Sequence, residues 1–544
     1  MCCDWKLAPF FRSTLTESNN IAIAIINTLN SKVSTILLIF ASIFLAKVTQ
    51  IKNIPKEILL KMTNMELKPA RVFEHFAKIN QIPRPSKHEE KMIEYLVEFG
   101  KSRNLDTKVD KTGNVLITKP ATKGMENAPT VILQSHIDMV CDKLVDLDFN
   151  FHTDAIQTYV DGEWLKAKGT TLGADDGIGV AYELAVLDSD DIEHGKIECL
   201  FTVDEETGLT GAFGLEPGWL TGEYLINLDS EDEGQIFVSC AGGIATDSVF
   251  KFKREDAPAG YFFMEASIKG LIGGHSGDDI NKKRANAIKI LGRFLYMQQS
   301  KMDLRLAEWN SGKLDNAIPR DGKVVFAVPS AKKEDVMADW NIFTKGVEEE
   351  YHVSDPNAVW GMESTEARPV VEKEVGRRIV MAVQAVDNGP LTNCQDEAIA
   401  YMVETSSNVA VVKTEENAIT VIASQRSNVP SALINMANTI KACFEMAGAE
   451  ICQHDAYPGW KMNPNSKLVE VAVEEYKKLF NKEPQVLGIH AGLECGLISE
   501  KYPNVDMMSV GPTLRFVHTP DERLLIPTVQ MVWDHLLAIL KNVR

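Results

Sequence analysis

Length, composition and charge narrow the class of this chain before any motif is considered. At 544 residues it can hold two or three domains with sizeable cores. A hydrophobic fraction of 45% with 24% charged residues excludes wholesale disorder. The net charge of -19 argues against a nucleic-acid partner, because phosphate binding needs clustered lysines and arginines. The nine cysteines form no CxxC pair, which favours reduced thiols in a reducing compartment.

Residues 1–63 are predicted to be an N-terminal extension, because their composition differs from that of the remaining chain. Apolar runs occupy 21–26 and 33–46, and the second run has fourteen residues. A spanning helix needs roughly 20, which only both runs together reach. Three alternatives stay open: a membrane anchor that leaves the main body in the cytoplasm, a secretion signal, and a dispensable extension before a start at Met62 or Met65.

From Met65 onward, helical and strand-like segments alternate. A helix is predicted over 87–103, with Ser86 as its N-cap. The other elements predicted in this pattern are strands at 115–118, 130–134, 197–203, 224–228, 485–489 and 505–510, and helices at 176–187, 467–480 and 528–540. This alternation is typical of an α/β domain with a mainly parallel sheet flanked by helices and functional residues at the carboxyl ends of the strands. We assign residues 64–243 and 456–544 to that domain.

Residues 244–455 follow a different pattern, in which strands and helices are mixed. The predicted elements are strands at 262–268, 323–328 and 418–424 and helices at 284–299 and 331–351. We therefore predict an α+β domain inserted into the first one.

Two adjacent glutamates, Glu205 and Glu206, end an apolar run in LFTVDEETGLTGAFG. Neighbouring carboxylates repel each other unless something cationic holds them, so a metal ion is the natural candidate. After another strand, alternation points His136 and Asp138 to the same side, where a carboxylate can influence the orientation of a metal-binding histidine. Whether Asp138 contacts His136 directly stays open at this stage.

Further potential ligands fall at the same predicted sheet edge. Asp175 and Asp176 begin a helix, Asp229 follows strand 224–228, and His518 follows the last strand. Each alone is more often a cap or turn residue. Their coincidence predicts a site for two divalent ions, zinc most readily, with manganese or cobalt as alternatives. Two ions about 3.5 to 4 Å apart can share a carboxylate and a water molecule whose pKa falls toward neutrality.

Several motifs carry a family resemblance: SHIDMVCDK, GTTLGADDGIGVA, TVDEETGLTGAFGL, LINLDSEDEG, GGHSGDDI, DNAIPR, HAGLECGL and GPTLRFVHTPDE. The chain resembles the co-catalytic zinc metallopeptidases that include carboxypeptidase G and the bacterial dipeptidases, from about Leu67 to the C-terminus. The resemblance implies a zinc-peptidase catalytic domain, with the inserted α+β domain as its lid and a homodimer formed through that lid.

The resemblance also implies a role for each candidate residue. The implied protein ligands are His136, Asp229 and a bridging Asp175 for one ion, and Glu206, His518 and the same Asp175 for the other. Glu205 would be the general base that takes a proton from the bridging water and delivers it to the leaving amine. Asp138 would orient or polarise His136. The peptide bond between Asp175 and Asp176 would be cis.

The inserted domain would contribute substrate contacts. His275 in GGHSGDD resembles a histidine that stabilises the tetrahedral oxyanion, and Asn316 in DNAIPR resembles a substrate-contacting residue. Arg426 would hold a substrate carboxylate, and the loop at Gly492 would approach the substrate through its backbone. The simpler interpretations are a turn histidine and a solvated arginine.

The leading hypothesis is a dinuclear metallopeptidase in the cytoplasm that hydrolyses unblocked dipeptides, including those that end in histidine. The alternative within the same chemistry is a deacylase for N-acyl amino acids. A non-catalytic binding protein on the same fold is the alternative of another class. Membrane association through residues 21–46 is left open.

Overall fold

The computed structural model describes residues 67–544. Its helices are α1 (Ala70–Ile79), α2 (Glu90–Ser102), α3 (Ala174–Leu187), α4 (Glu205–Gly208), α5 (Thr210–Gly214), α6 (Ala287–Gln299), α7 (Lys333–Tyr351), α8 (Lys373–Ala385), α9 (Pro430–Met446), α10 (Lys467–Phe480), α11 (Glu494–Lys501) and α12 (Ile526–Asn542). None of the helices in this part of the chain is long and apolar enough to cross a membrane. The predicted apolar extension lies outside the described residues, so membrane association stays a prediction.

The strands are numbered in chain order. They are β1 (Asp106–Val109), β2 (Val115–Lys119), β3 (Val131–His136), β4 (Thr158–Asp161), β5 (Trp164–Ala167), β6 (Ile197–Thr202), β7 (Tyr224–Asn227), β8 (Gln235–Cys240), β9 (Gly242–Lys251), β10 (Arg254–Glu255), β11 (Tyr261–Lys269), β12 (Gly274–His275), β13 (Arg305–Ser311), β14 (Ala317–Ile318), β15 (Gly322–Pro329), β16 (Val359–Ser364), β17 (Val370–Val371), β18 (Gly389–Asn393), β19 (Val403–Thr414), β20 (Ala418–Ser427), β21 (Glu450–Tyr457), β22 (Gln485–Ile489), β23 (Asp506–Ser509), β24 (Leu514–Arg515) and β25 (Arg523–Leu525).

The first large sheet has the strand order β1-β2-β6-β3-β7-β23-β8-β22. Strands β6, β3, β7 and β23 are parallel to one another, and β8 is parallel to β22, which confirms the mainly parallel sheet. Strands β3 and β6 are buried along their whole length. Helices such as α3 pack against this sheet, which explains why these strands are almost continuously apolar. The carboxyl ends of β3, β6 and β7 therefore meet at one edge.

The second large sheet is antiparallel and is formed by strands between Gly242 and Tyr457. Its order is β16-β11-β15-β13-β19-β20-β9-β21, and β18 pairs with β19. Helices α6, α7 and α8 carry apolar residues into the same core, where Phe294 makes edge contacts with Phe326 and Trp340. Helices and strands are thus mixed here as predicted, while the exact domain boundaries at 243/244 and 455/456 stay a prediction.

The predicted N-cap at Ser86, before a helix over 87–103, is wrong. Helix α2 begins at Glu90, because Lys87 has a φ of 68° that a helix does not accept. The Ser86 hydroxyl instead donates a hydrogen bond to the Asp138 carboxylate, at 2.8 Å. The side chain that resembled a helix cap therefore belongs to the sheet edge where the candidate ligands gather.

Candidate metal and active site

Strand ends deliver four of the candidate residues to one place. His136 is the last residue of β3, helix α4 with Glu205 and Glu206 follows β6, and Asp229 lies just beyond β7. Asp175 enters from the first turn of α3, and His518 enters from the segment after β24. The peptide bond between Asp175 and Asp176 is cis, as the resemblance implied. The structure therefore brings these predicted residues together in one cluster.

The cluster contains two groups of donor atoms that share Asp175. In one group, Nε2 of His136 lies 3.0 Å from Oδ1 of Asp175 and 3.7 Å from Oδ1 of Asp229. In the other, Nε2 of His518 lies 3.1 Å from Oδ2 of Asp175 and 3.0 Å from Oε2 of Glu206. The donor atoms of each group lie within 4.8 Å of one another, as metal ligands must. One Asp175 oxygen faces each group, which is the arrangement of a bridging carboxylate.

The electrostatics of the cluster fit divalent cations. Burial raises the pKa of Asp229 to about 7, and the charges of Asp175 and Glu206 add to this effect although His136 opposes it. Hydrogen bonds to Asp175 and Glu206 raise the pKa of His518 to about 11. Buried Oε1 of Glu206 has no hydrogen-bond partner. Imidazole and carboxylate donors with an excess of negative charge suit zinc, and a cation would satisfy the unpaired oxygen.

Asp138 connects the two strand ends. Its fully buried carboxylate faces Nδ1 of His136 at 3.2 Å, so the contact that the sequence left open is direct. The same carboxylate accepts the backbone N–H groups of Glu205, at 3.0 Å, and Glu206, at 3.2 Å. With Nδ1 of His136 held by a carboxylate, Nε2 is left to face the ligand group. Asp138 therefore contacts the histidine and the backbone of both glutamates.

Glu205 lies beside both groups. It forms a further set of close donor atoms with His136 and Glu206. Burial raises the pKa of Glu205 well above its ordinary value, and the charges of Asp229 and Glu206 add to this effect while His136 opposes it. A carboxyl group with a raised pKa is suited both to accept a proton and to return it.

The predicted substrate-binding residues border the same cleft. His275, Asn316, Arg426 and Gly492 line a cavity of about 620 Å³ together with Glu205, Glu206 and His518. An adjoining cavity of about 560 Å³ shares several of these residues and also reaches Asp175 and Asp229. The sheet of residues 242–457 and the edge of the first sheet thus enclose one space.

Arg426 is buried, with 6% of its surface exposed, so the interpretation as a solvated arginine is wrong. It lies within β20 and donates a hydrogen bond to the Tyr457 hydroxyl, at 2.8 Å. Its Nη2 is 3.4 Å from Nε2 of His275. An α-carbon substituent at Gly492 would come within 2.9 Å of the Tyr457 ring, which explains a glycine in this loop.

Sequence reasoning missed several residues of the site. Glu231 and Asp278 line the second cavity. Arg84 and Glu522 lie behind the ligands and contact the backbone of the loop that carries Asp175. The motif GPTLRFVHTPDE was the one sequence signal for Glu522, since it ends at this residue. Glu494 accepts hydrogen bonds from Gln134 and Thr202.

A family model described as peptidase family M20/M25/M40 matches residues 132–542. The chain belongs to this family. The cytosol non-specific dipeptidase of Escherichia coli strain K12 is 41% identical over 479 residues, which cover 88% of this chain and 98% of that protein. The crystal structure of aminoacylhistidine dipeptidase from Vibrio alginolyticus matches with 45% identity and a TM-score of 0.81, covering 88% of this chain and 97% of that one. The family resemblance and the fold class predicted from sequence are thereby confirmed.

A more distant match extends the likeness of fold. The aminopeptidase PepT structure from Bacillus cereus covers 87% of this chain and 98% of its own, with 17% identity and a TM-score of 0.52. Family membership makes the chain a metallopeptidase by descent, which matches the chemistry of the donor groups.

Proposed function

We propose that this protein is a dinuclear metal-dependent dipeptidase that hydrolyses unblocked dipeptides, including those with a C-terminal histidine. The observation that carries the proposal is the pair of ligand groups that share Asp175, with Glu205 beside them. The names of the Escherichia coli and Vibrio alginolyticus relatives support the substrate class. Zinc is the proposed metal, with manganese or cobalt as alternatives, because the donors are imidazole nitrogens and carboxylate oxygens.

Each residue has a distinct task in this proposal. His136, Asp175, Asp229, Glu206 and His518 hold two ions. Bound there, the ions polarise the scissile carbonyl and lower the pKa of water.

The proton transfers belong to Glu205. Its carboxylate accepts a proton from the attacking water and delivers it to the leaving amine. Asp138 keeps His136 and the backbone of Glu205 in place throughout. His275 donates a hydrogen bond to the oxygen that gains negative charge as water adds to the carbonyl.

The charges around the cleft match a substrate with two free termini. Arg426, buried beside His275, offers its guanidinium to the substrate carboxylate. Asp278, in the adjoining cavity, offers negative charge to the α-ammonium group, and the carboxyl of Glu231, whose pKa burial raises to about 8, offers it a hydrogen-bond acceptor. An N-acyl amino acid has no such ammonium, so these side chains favour the dipeptidase over the deacylase. Asn316 and the Gly492 backbone complete the walls of the cleft.

Parallel assays on X-His dipeptides and on the corresponding N-acetyl amino acids separate the two activities. We expect turnover of the free dipeptides and little of the acetylated compounds. Faster turnover of the acetylated compounds would replace the proposal by the deacylase. A non-catalytic binding protein is disfavoured, because the ligand groups and Glu205 are complete in this chain.

The variant Glu205→Ala tests the base directly. We expect two bound ions, as in the wild-type protein, and a loss of turnover of at least about 10²-fold, typical of an absent general base. Metal content is measured on the purified variant beside the dipeptide assay. Wild-type turnover in a fully metallated variant would refute this role.

The cytoplasm is the proposed location, in keeping with the name of the Escherichia coli relative. The seven cysteines of the described residues are all free thiols, which suits a reducing compartment. A homodimer through the inserted domain is proposed by analogy of fold alone.

A further inference from the structure

Two buried side chains of opposite charge hold the loop that leads into Asp175. The first is Glu522, with 2% of its surface exposed. Its carboxylate accepts the backbone N–H groups of four successive residues, Leu172, Gly173, Ala174 and Asp175, at 2.7, 3.0, 2.8 and 3.3 Å. Glu522 thus accepts every backbone N–H group from Leu172 to Asp175, the shared ligand.

The second is Arg84, with 1% of its surface exposed. Its Nη2 donates to the carbonyl oxygen of Gly173, and its Nη1 donates to the carbonyl oxygens of Ile137 and Asp138. The guanidinium therefore ties the loop before Asp175 to the segment just after His136. These two segments carry His136 and Asp175, whose donor atoms are the closest pair in the first group.

Gly173 is the point where both contacts meet. Its N–H donates to Glu522 and its carbonyl accepts from Arg84, so its backbone is held from both sides. The residue has a φ of 66°, and an added Cβ would lie 2.5 Å from Nη2 of Arg84. The loop must therefore lack a side chain here for the two contacts to form together.

We propose that Arg84 and Glu522 are positioning residues that set the location of the bridging carboxylate and so determine the affinity for both metal ions. The inference rests on the dinuclear site of the proposed function. Neither side chain is among the donor groups that could hold an ion. Both act through the backbone of the loop, which sets the position of Asp175. Arg84 also sets the distance between Asp175 and His136, because it contacts both segments.

The shared position of Asp175 gives the proposal a specific consequence. If the loop shifts, one oxygen leaves each donor group, so both ions lose affinity together. Replacing a side chain that only stabilised the fold would lower the unfolding temperature and leave the dissociation constants of the folded protein unchanged. Measurements of Zn²⁺ affinity and of the unfolding temperature therefore distinguish a positioning role from a purely structural one.

The variants are Glu522→Gln and Arg84→Lys. The glutamine amide is nearly isosteric but turns an NH₂ group toward backbone donors, and lysine retains the charge without the planar fork. Zn²⁺ alone is the probe: its stoichiometry and two dissociation constants are measured by competition with a chromophoric chelator. The unfolding temperature of the metal-free proteins is measured in parallel.

Two residues far from the cluster supply matched controls. Glu198 is 2% exposed and accepts the backbone N–H groups of Thr221 and Gly222, at 2.8 and 3.1 Å. Arg254 donates to the carbonyl oxygens of Glu416, Ala307, Pro369 and Glu415. Glu198→Gln and Arg254→Lys therefore change contacts to backbone of the same kind, buried for Glu198 and partly exposed for Arg254, without touching the ligand loops.

We expect both test variants to bind both ions roughly 10- to 100-fold more weakly, the range for residues that orient ligands. The control variants should bind Zn²⁺ as the wild type does. Test variants that match the controls in Zn²⁺ affinity would overturn the positioning role. Wild-type protein that binds fewer than two ions would instead overturn the dinuclear site. If Glu522→Gln is insoluble, Glu522→Asp serves, and an unchanged affinity in that variant also overturns the proposal.

Discussion

Replacing Asp138 by asparagine is the most informative single change at the sheet edge. The carboxylate of Asp138 faces four donors: the Ser86 hydroxyl, Nδ1 of His136, and the backbone N–H groups of Glu205 and Glu206. Asparagine keeps the size of the side chain but has one acceptor oxygen. If its NH₂ group faces His136 and the N–H of Glu205, two hydrogen bonds are lost. If it faces Ser86 and the N–H of Glu206, the hydroxyl can turn to accept and one hydrogen bond is lost.

The expected cost follows from the contacts that are lost. Hydrogen bonds to an ionised acceptor contribute about 1.5 to 3 kcal/mol each, so the loss of one or two costs about 1.5 to 6 kcal/mol. At about 1.4 kcal/mol for each factor of ten, this corresponds to a decrease of roughly 10- to 10⁴-fold, divided between Zn²⁺ affinity and kcat/KM. The ion held by His136 and Asp229 should weaken most, because the orientation of His136 depends on Asp138.

The assay combines Zn²⁺ affinity, kcat/KM for an X-His dipeptide and the unfolding temperature. Asp355→Asn is the control, since Asp355 is 3% exposed and accepts the backbone N–H groups of Ile272 and Ala285, at 2.8 and 2.9 Å. We expect that control to lose stability but retain metal and activity. An Asp138→Asn protein whose Zn²⁺ affinity and kcat/KM both stay within threefold of wild type would refute the reasoning.

Two further predictions concern a glycine and a buried histidine. Gly173→Ala should lose Zn²⁺ affinity in the same way as the Arg84 variant, whereas Gly162→Ala, with a similar φ of 63° and open space around it, should bind Zn²⁺ normally. Equal affinity in the two alanine variants would contradict this prediction. Burial lowers the pKa of His75 to about 4, below its unfolded value of 6.5, so the unfolded state binds more protons as the pH falls from 6.5 toward 4. Stability should therefore fall by about 2 kcal/mol from pH 7 to pH 5, and His75→Gln should lose this part of the slope in denaturant titrations. Identical slopes for the two proteins would exclude His75 as the cause.

Much of the site could be predicted because its residues stand at the ends of regular elements. A run of apolar residues predicts a buried strand, and the polar residue after the run indicates the edge of the sheet. His136, Glu205, Glu206 and Asp229 were found in this way. Ser86 was misassigned because a serine before a helical pattern has the same local appearance whether it caps the helix or reaches a distant carboxylate.

Strand β19 was not predicted, although it lies inside the second sheet. Its first half reads ETSSN, and Thr405, Ser406, Ser407 and Asn408 are buried polar residues. Their hydrogen bonds go to partners such as Ser427 and His490 that are remote along the chain. A local pattern of polarity therefore indicates exposure where the fold provides burial.

The sequence by itself determined the residue types of the cluster, their places after strands, and the family to which the motifs belong. Tertiary structure alone decided which side chains meet: Asp175 and His518 are 343 residues apart, and Glu522 is 347 residues from Asp175. It also decided that Arg426 is buried beside His275 and that Arg84 holds two ligand segments together. The physical reason is that strand and turn preferences act over a few neighbouring residues. A ligand group or a backbone clamp forms only when the whole sheet brings distant segments within hydrogen-bond distance.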